Sequence, residues 1–178
     1  PHMSAYNVPV ALRFKDGLDI GLFKQACAHM LRRFPILGSV FGQAEGEPHQ
    51  RAPRDAALSF AHQWLEKTAD IAGRLRAEGK RPFDLENGPL FRVHVLSPAS
   101  GEDAYVLLVA HHIVLDGRSA ALLVRELLEA YRALQSGGTL GLPVAAASYG
   151  DFVRWQRRFL AGDDARAQRA YWKDALAG

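Results

Sequence analysis

A chain of 178 residues holds one domain, or one lobe of a larger one, but not two independent cores. Its 48% hydrophobic and 23% charged residues sit near the globular average, which excludes a disordered tail and a collagen-like fibre. Twenty-two Lys and Arg against nineteen Asp and Glu leave a formal charge of +3, yet the basic residues are scattered, which gives no nucleic-acid footprint. Arg32-Arg33 and Arg157-Arg158 accordingly read as solvated helix faces. The single cysteine, Cys27, excludes an internal disulfide and a Cys-rich zinc site, and its place in an apolar helical stripe assigns it to packing. No apolar run approaches the roughly 18 residues that a membrane span needs. Pro1-His2-Met3 has neither a charged nor an apolar leader region and reads as a cloning scar, so His2 is left out of active-site reasoning. With no targeting segment and a lone thiol, the cytoplasm is the expected address.

In chain order, Val8–Phe14 is β-branched and apolar and predicts a strand, closed by an Asp16-Gly17 turn. Asp19 then caps a helix whose apolar positions are Ile20, Phe23, Cys27, Met30, Leu31 and Phe34, and Pro35 ends it. Leu37–Phe41 predicts a short strand, and residues 42–56 a hairpin and loop. A second helix is expected from Trp64 to about Lys80, with Leu65, Ala69, Ala72 and Leu75 on one side. Turn chemistry around Phe83 and Leu85 leads into a strand at Phe91–Leu96 and a polar turn at 97–103. Ala104–Ala110 is a continuous apolar run, the pattern of a strand buried on both faces. Residues 118–135 form a strongly amphipathic helix stopped by Gly137-Gly138. After a loop with Pro143 come two helices, at about 148–161 and 164–177. Trp64, Trp155 and Trp172 are expected as packing anchors, Tyr171-Trp172 as a clamp for the last helix, and Asp151 as a cap or surface charge. The predicted class is α+β, with helices packed on a central mixed β-sheet.

The chemistry is concentrated in His111-His112-Ile113-Val114-Leu115-Asp116-Gly117. Two histidines leave the end of a buried strand, and an aspartate and a glycine follow where a helix begins. A neutral imidazole there can take a proton from an attacking amine or hydroxyl. An aspartate four residues on can orient the histidine or pair with an arginine, and a glycine at the helix start lets backbone N–H groups approach an oxyanion. The plainer alternative is a pair of packed or rim histidines and an Asp-Gly helix cap. A metal site is disfavoured, because adjacent side chains on a strand point to opposite faces.

His111-His112-x-x-x-Asp116-Gly117 resembles the signature of nonribosomal peptide synthetase condensation domains, which have a chloramphenicol acetyltransferase-like fold. The likeness extends to Ala5–Pro9, to Arg81-Pro82-Phe83-Asp84-Leu85 and Gly88-Pro89-Leu90-Phe91-Arg92, and to Ser148–Phe152 with Trp155-Gln156 and Tyr171-Trp172. It implies that residues 4–178 are the N-terminal lobe of a two-lobed domain, with the C-terminal lobe absent. It also implies amide-bond formation in antibiotic-type biosynthesis, between a donor acyl thioester and an acceptor amine. Both substrates would ride on phosphopantetheine arms of peptidyl carrier proteins, with no cofactor bound directly by this lobe and no nucleic acid or membrane as partner. By motif position His112 is the catalytic histidine, acting as base or positioning the amine. His111, Asp116 and Gly117 support it, with His111 packing inward and Gly117 bordering the acceptor channel. The family's two arginines after the first helix are reduced here to Arg33, since Gly38 takes the second place. That leaves Arg33, another arginine such as Arg13, or no arginine at all as the partner of Asp116.

Two other functions compete. One is an acyltransferase of the same fold acting on a hydroxyl or a coenzyme A thioester. The other is a non-catalytic module that recruits a carrier protein, against which the intact histidine motif argues. The motif also disfavours a heterocyclising variant and is compatible with an epimerising one.

Overall fold

The computed structural model describes residues 4–53, 55–66, 70–98, 103–141 and 148–177. Two compact units divide the chain, Pro1–Leu142 and Pro143–Gly178. The expected scar at Pro1–Met3, most of the turn at 97–103 and the loop containing Pro143 lie outside the described residues.

The first unit is built on a four-stranded sheet in the order β1-β6-β5-β4, formed by β1 (Asn7–Lys15), β4 (Ser59–Leu65), β5 (Phe91–Pro98) and β6 (Asp103–His111). β1 and β5 flank β6 antiparallel and β4 joins β5 parallel, so the sheet is mixed. The uninterrupted apolar run of β6 follows from its place between two neighbours with both faces covered. On one face lie α1 (Ile20–Arg33) and α3 (Gly117–Gln135), packed against each other. There Phe14, Phe23 and Tyr131 meet edge to face, with ring centroids 5.5–6.0 Å apart. On the other face α2 (Ile71–Lys80) packs against β1 and β6. A separate hairpin pairs β2 (Val40–Ala44) with β3 (Glu47–Arg51).

The second unit is two helices, α4 (Tyr149–Ala161) and α5 (Asp163–Ala175). Ser148 and Asp151 form a capping box at the start of α4, which fixes Asp151 as a cap.

Three expectations change. The segment from Trp64 to Lys80 is not one helix: Ser59–Leu65 is a strand paired with β5, and the helix begins at Ile71, where the Asp70 carboxylate accepts the Gly73 N–H at 2.8 Å. A helical stripe of Leu65, Ala72 and Leu75 can be drawn through the sequence, but sheet pairing claims its first member. The strand expected at Leu37–Phe41 starts later, because Pro35–Gly38 makes a 3₁₀ turn before Val40. Trp64 is not a buried anchor, being 68% exposed, while within the second unit Trp155 stacks on Phe159 with ring centroids 5.6 Å apart.

Candidate active site

The site is built where β6 ends. The His111 backbone N–H donates to the Leu90 carbonyl at 2.9 Å, the last hold of the sheet on this strand. One residue further, the His112 N–H donates to the Tyr6 carbonyl at 2.7 Å, just before β1. Val114 N–H then closes a turn onto the His111 carbonyl at 3.0 Å, and the buried side chains of Val114 and Leu115 pin the turn to the core. The chain is therefore fixed on both sides of His112, whose own side chain is exposed.

The two histidines separate as the strand geometry requires. His111 is half-buried, its ring 5.9 Å from that of Tyr6 and 6.1 Å, edge to face, from that of Phe83. Its Nδ1 accepts the Ile113 N–H at 3.1 Å, which places the proton of the neutral ring on Nε2. Burial, and then the neighbouring His112, push its pKa below the ordinary histidine value, so the ring is neutral at physiological pH.

Asp116 caps α3: its Oδ1 accepts the Ser119 N–H at 2.7 Å, while its carbonyl accepts the Ala120 N–H at 2.8 Å. The Ser119 bonds, with a smaller contribution from His112, hold the carboxyl below its usual range. Asp116 is solvent-facing and, among the described residues, forms no ion pair with an arginine. The expected partner Arg33 instead reaches across from α1 to Glu126 on α3, through Nε and Nη2. Arg13 binds Asp103 at 2.6 Å. Both arginines are thus used elsewhere, and Asp116 is held by the helix it begins. At Gly38 a Cβ would lie 2.6 Å from the Ala56 Cβ, so a larger residue there would need its neighbours to shift. At Gly117 an added Cβ would meet nothing within 4 Å, so a side chain there would enter open space.

The stretch before β5 is structural, as its turn chemistry implied. Asp84 accepts the N–H groups of Glu86 and Asn87 at 2.9 and 3.1 Å, and Phe83 and Leu90 are buried. Sequence reasoning missed Tyr6, whose carbonyl holds His112, and Arg92, buried beneath Phe83. For Arg92 the signal was present: a lone guanidinium inside the apolar strand Phe91–Leu96.

The first unit is thus a mixed sheet with helices on both faces and a histidine exposed at the end of β6. The chain matches the family described as Condensation domain over residues 1–178 and belongs to that family. It is 38% identical over its full length to the polyketide synthase PksN of Bacillus subtilis, covering 3% of that protein. It is 33% identical over 97% of its length to malpinin synthetase of Mortierella alpina, covering 2% of that protein. Among solved structures it superposes on the starter condensation domain of rhizomide synthetase with a TM-score of 0.86 at 21% identity, over 100% of this chain and 44% of that one. The epimerization domain from the third module of tyrocidine synthetase B matches with a TM-score of 0.83 at 26% identity, over 97% of this chain and 40% of that one. The fold is therefore the chloramphenicol acetyltransferase-like one of condensation domains, and the chain spans well under half of the solved domains it matches.

Proposed function

We propose that this chain is the histidine-bearing, N-terminal lobe of a domain that joins a donor acyl thioester to an acceptor amine, each carried on the phosphopantetheine arm of a carrier protein. The observation that carries the reading is His112: a side chain in open solvent on a backbone fixed from both sides. A packing histidine gains nothing from exposure, whereas a reacting one requires it. In the step, the amine nitrogen bonds to the thioester carbon, the C–S bond breaks, and the thiolate leaves. The His112 imidazole takes the amine proton or orients the amine, and the proton ends on the departing sulfur. His111, neutral and bonded to Ile113, shapes the turn. Asp116 keeps the start of α3 in place, and Gly117 leaves space where the acceptor arm enters.

The test is single turnover between two loaded carrier proteins by the complete condensation domain. His112→Ala is expected to lower the rate by about a hundredfold to ten-thousandfold with the fold intact. Gly117→Leu is expected to leave the melting temperature nearly unchanged, since its side chain points into open space, while raising the acceptor KM. Undiminished turnover in His112→Ala would remove the histidine from the chemistry. An alcohol acceptor used in preference to an amine would favour ester formation by the same lobe.

A further inference from the structure

Arg92 has no part in the histidine motif, yet it is a charged residue buried in the core. It lies on β5 at 3% exposure, and among the described residues no carboxylate forms an ion pair with it. Its Nη1 and Nη2 donate to the Pro82 and Arg81 carbonyls at 3.0 and 2.6 Å. Its guanidinium carbon sits 3.8 Å from the centre of the Phe83 ring. Burial lowers its pKa to about 10, so the charge persists at neutral pH. A buried cation with no carboxylate bonded to it, and only the more distant Glu78 charge in its favour, is expensive, and an apolar side chain of similar size commonly serves as well in a strand.

The surroundings show what the cation holds. The register of β5 and β6 puts Arg92, His94 and His111 on the face that α2 covers. The Asn7 side chain donates to the Gly79 and Arg81 carbonyls at 2.7 and 2.9 Å. The Arg81 carbonyl is therefore gripped from β1 and from β5 at once, two residues before Phe83. The Phe83 ring has the guanidinium on its face and the His111 ring set perpendicular to its plane. His111 in turn bonds the Ile113 N–H, on the far side of His112.

We propose that Arg92 is a positioning residue, acting through Phe83 on the His111 ring and so on the turn that presents His112. The stack fixes the plane of Phe83, Phe83 fixes the rotamer of His111, and His111 Nδ1 fixes the peptide that follows His112. A planar guanidinium satisfies two carbonyls and covers a ring at the same time, which a lysine ammonium cannot do.

The proposal is read without any turnover by nuclear magnetic resonance of the 178-residue chain, ¹⁵N-labelled. The wild type is expected to show His111 as the Nε2–H tautomer, with slow exchange of the Ile113 amide. Phe83→Leu and Arg92→Lys should each mix the His111 tautomers and speed Ile113 exchange, while Phe83→Tyr restores the wild-type pattern. A folded Phe83→Leu or Arg92→Lys that keeps the wild-type tautomer and exchange rate overturns the proposal. If neither variant folds, the wild type decides, since a wild type lacking nuclear Overhauser contacts between the Phe83 and His111 rings also overturns it. The consequence for catalysis rests on the reading of His112 given above. In the complete domain both variants should lose kcat, by up to about a hundredfold, with carrier-protein KM little changed. Shifted resonances with unchanged kcat would retain the positioning and refute the catalytic reading. Unchanged resonances would refute the positioning alone.

Discussion

At the scale of single residues, the structure reassigns the charges around the motif. Asp116 gains its stabilisation from the first turn of α3 rather than from an arginine, while Arg33 and Glu126 tie α1 to α3 with side chains only 22% and 18% exposed. Hydrogen bonds to charged groups contribute more than neutral ones, and removing one partner strands the other. Glu126→Ala is therefore expected to destabilise the chain by about 1.5–3 kcal/mol, and Asp116→Ala to lower Tm by less, because the N–H groups it frees face water. Thermal unfolding of the two variants side by side checks this. The reverse order would place an arginine on Asp116 after all. Cys27 makes a second residue-scale case. It is fully buried, and burial pushes its thiol up to about 12, so at neutral pH almost no thiolate exists. Alkylation by iodoacetamide should proceed only as fast as the chain unfolds, and rapid labelling of the folded chain would contradict the packing around α1.

At the scale of elements, legibility followed the amount of water each segment meets. β6 and α3 were plain in the sequence because one is covered on both faces and the other on one, and each arrangement leaves its own periodicity. β4 was misread because it is an edge strand whose residues, Leu65 apart, are half-exposed or exposed, so Phe60, His62 and Trp64 carry no clean alternation. The place of the histidine pair at a strand end was legible, but which carboxylate Arg33 would meet was not. That choice depends on how α1 and α3 cross, which no local pattern records. The start of α4 offers a pH test with a definite sign. Bonds from Ser148, and then from Arg154, lower the Asp151 pKa from the ordinary 3.8 to about 2. A depressed folded-state value means that the cap contributes above the unfolded pKa and is lost as pH falls through the folded one. The first turn of α4 should thus persist at about pH 3 and fray only as the pH approaches that lower value, within the limits that solvent screening sets on an exposed group. Carboxyl chemical shifts followed by pH titration read it directly. An Asp151 that titrates at its ordinary value would show the capping box is not formed in solution.

At the scale of the whole molecule, the proposed function makes this surface one wall of a cleft. His112 is exposed, Ile113 and Leu122 are 41% and 39% exposed, and the outer surface of α3 past Asp116 opens onto a shallow hollow lined by Arg118, Ser119, Ala121 and Arg125. Condensation asks more of a site than one imidazole. The amine and the thioester must be held within reach of each other, and water must be kept from the thioester that it would otherwise hydrolyse. A single fixed histidine in bulk solvent offers proton transfer but neither alignment nor exclusion. Effective molarities from good alignment reach about 10⁵ M or more, so most of the acceleration is expected to be missing from these 178 residues acting alone. Mixed with donor- and acceptor-loaded carrier proteins, the chain should therefore form amide no faster than its His112→Ala variant, whereas in a complete two-lobed domain the same substitution should remove most of the rate. Amide formation by the lone chain that depends on His112 and approaches the rate of the complete domain would show that one wall suffices, and the reading of this surface as half of a cleft would fall.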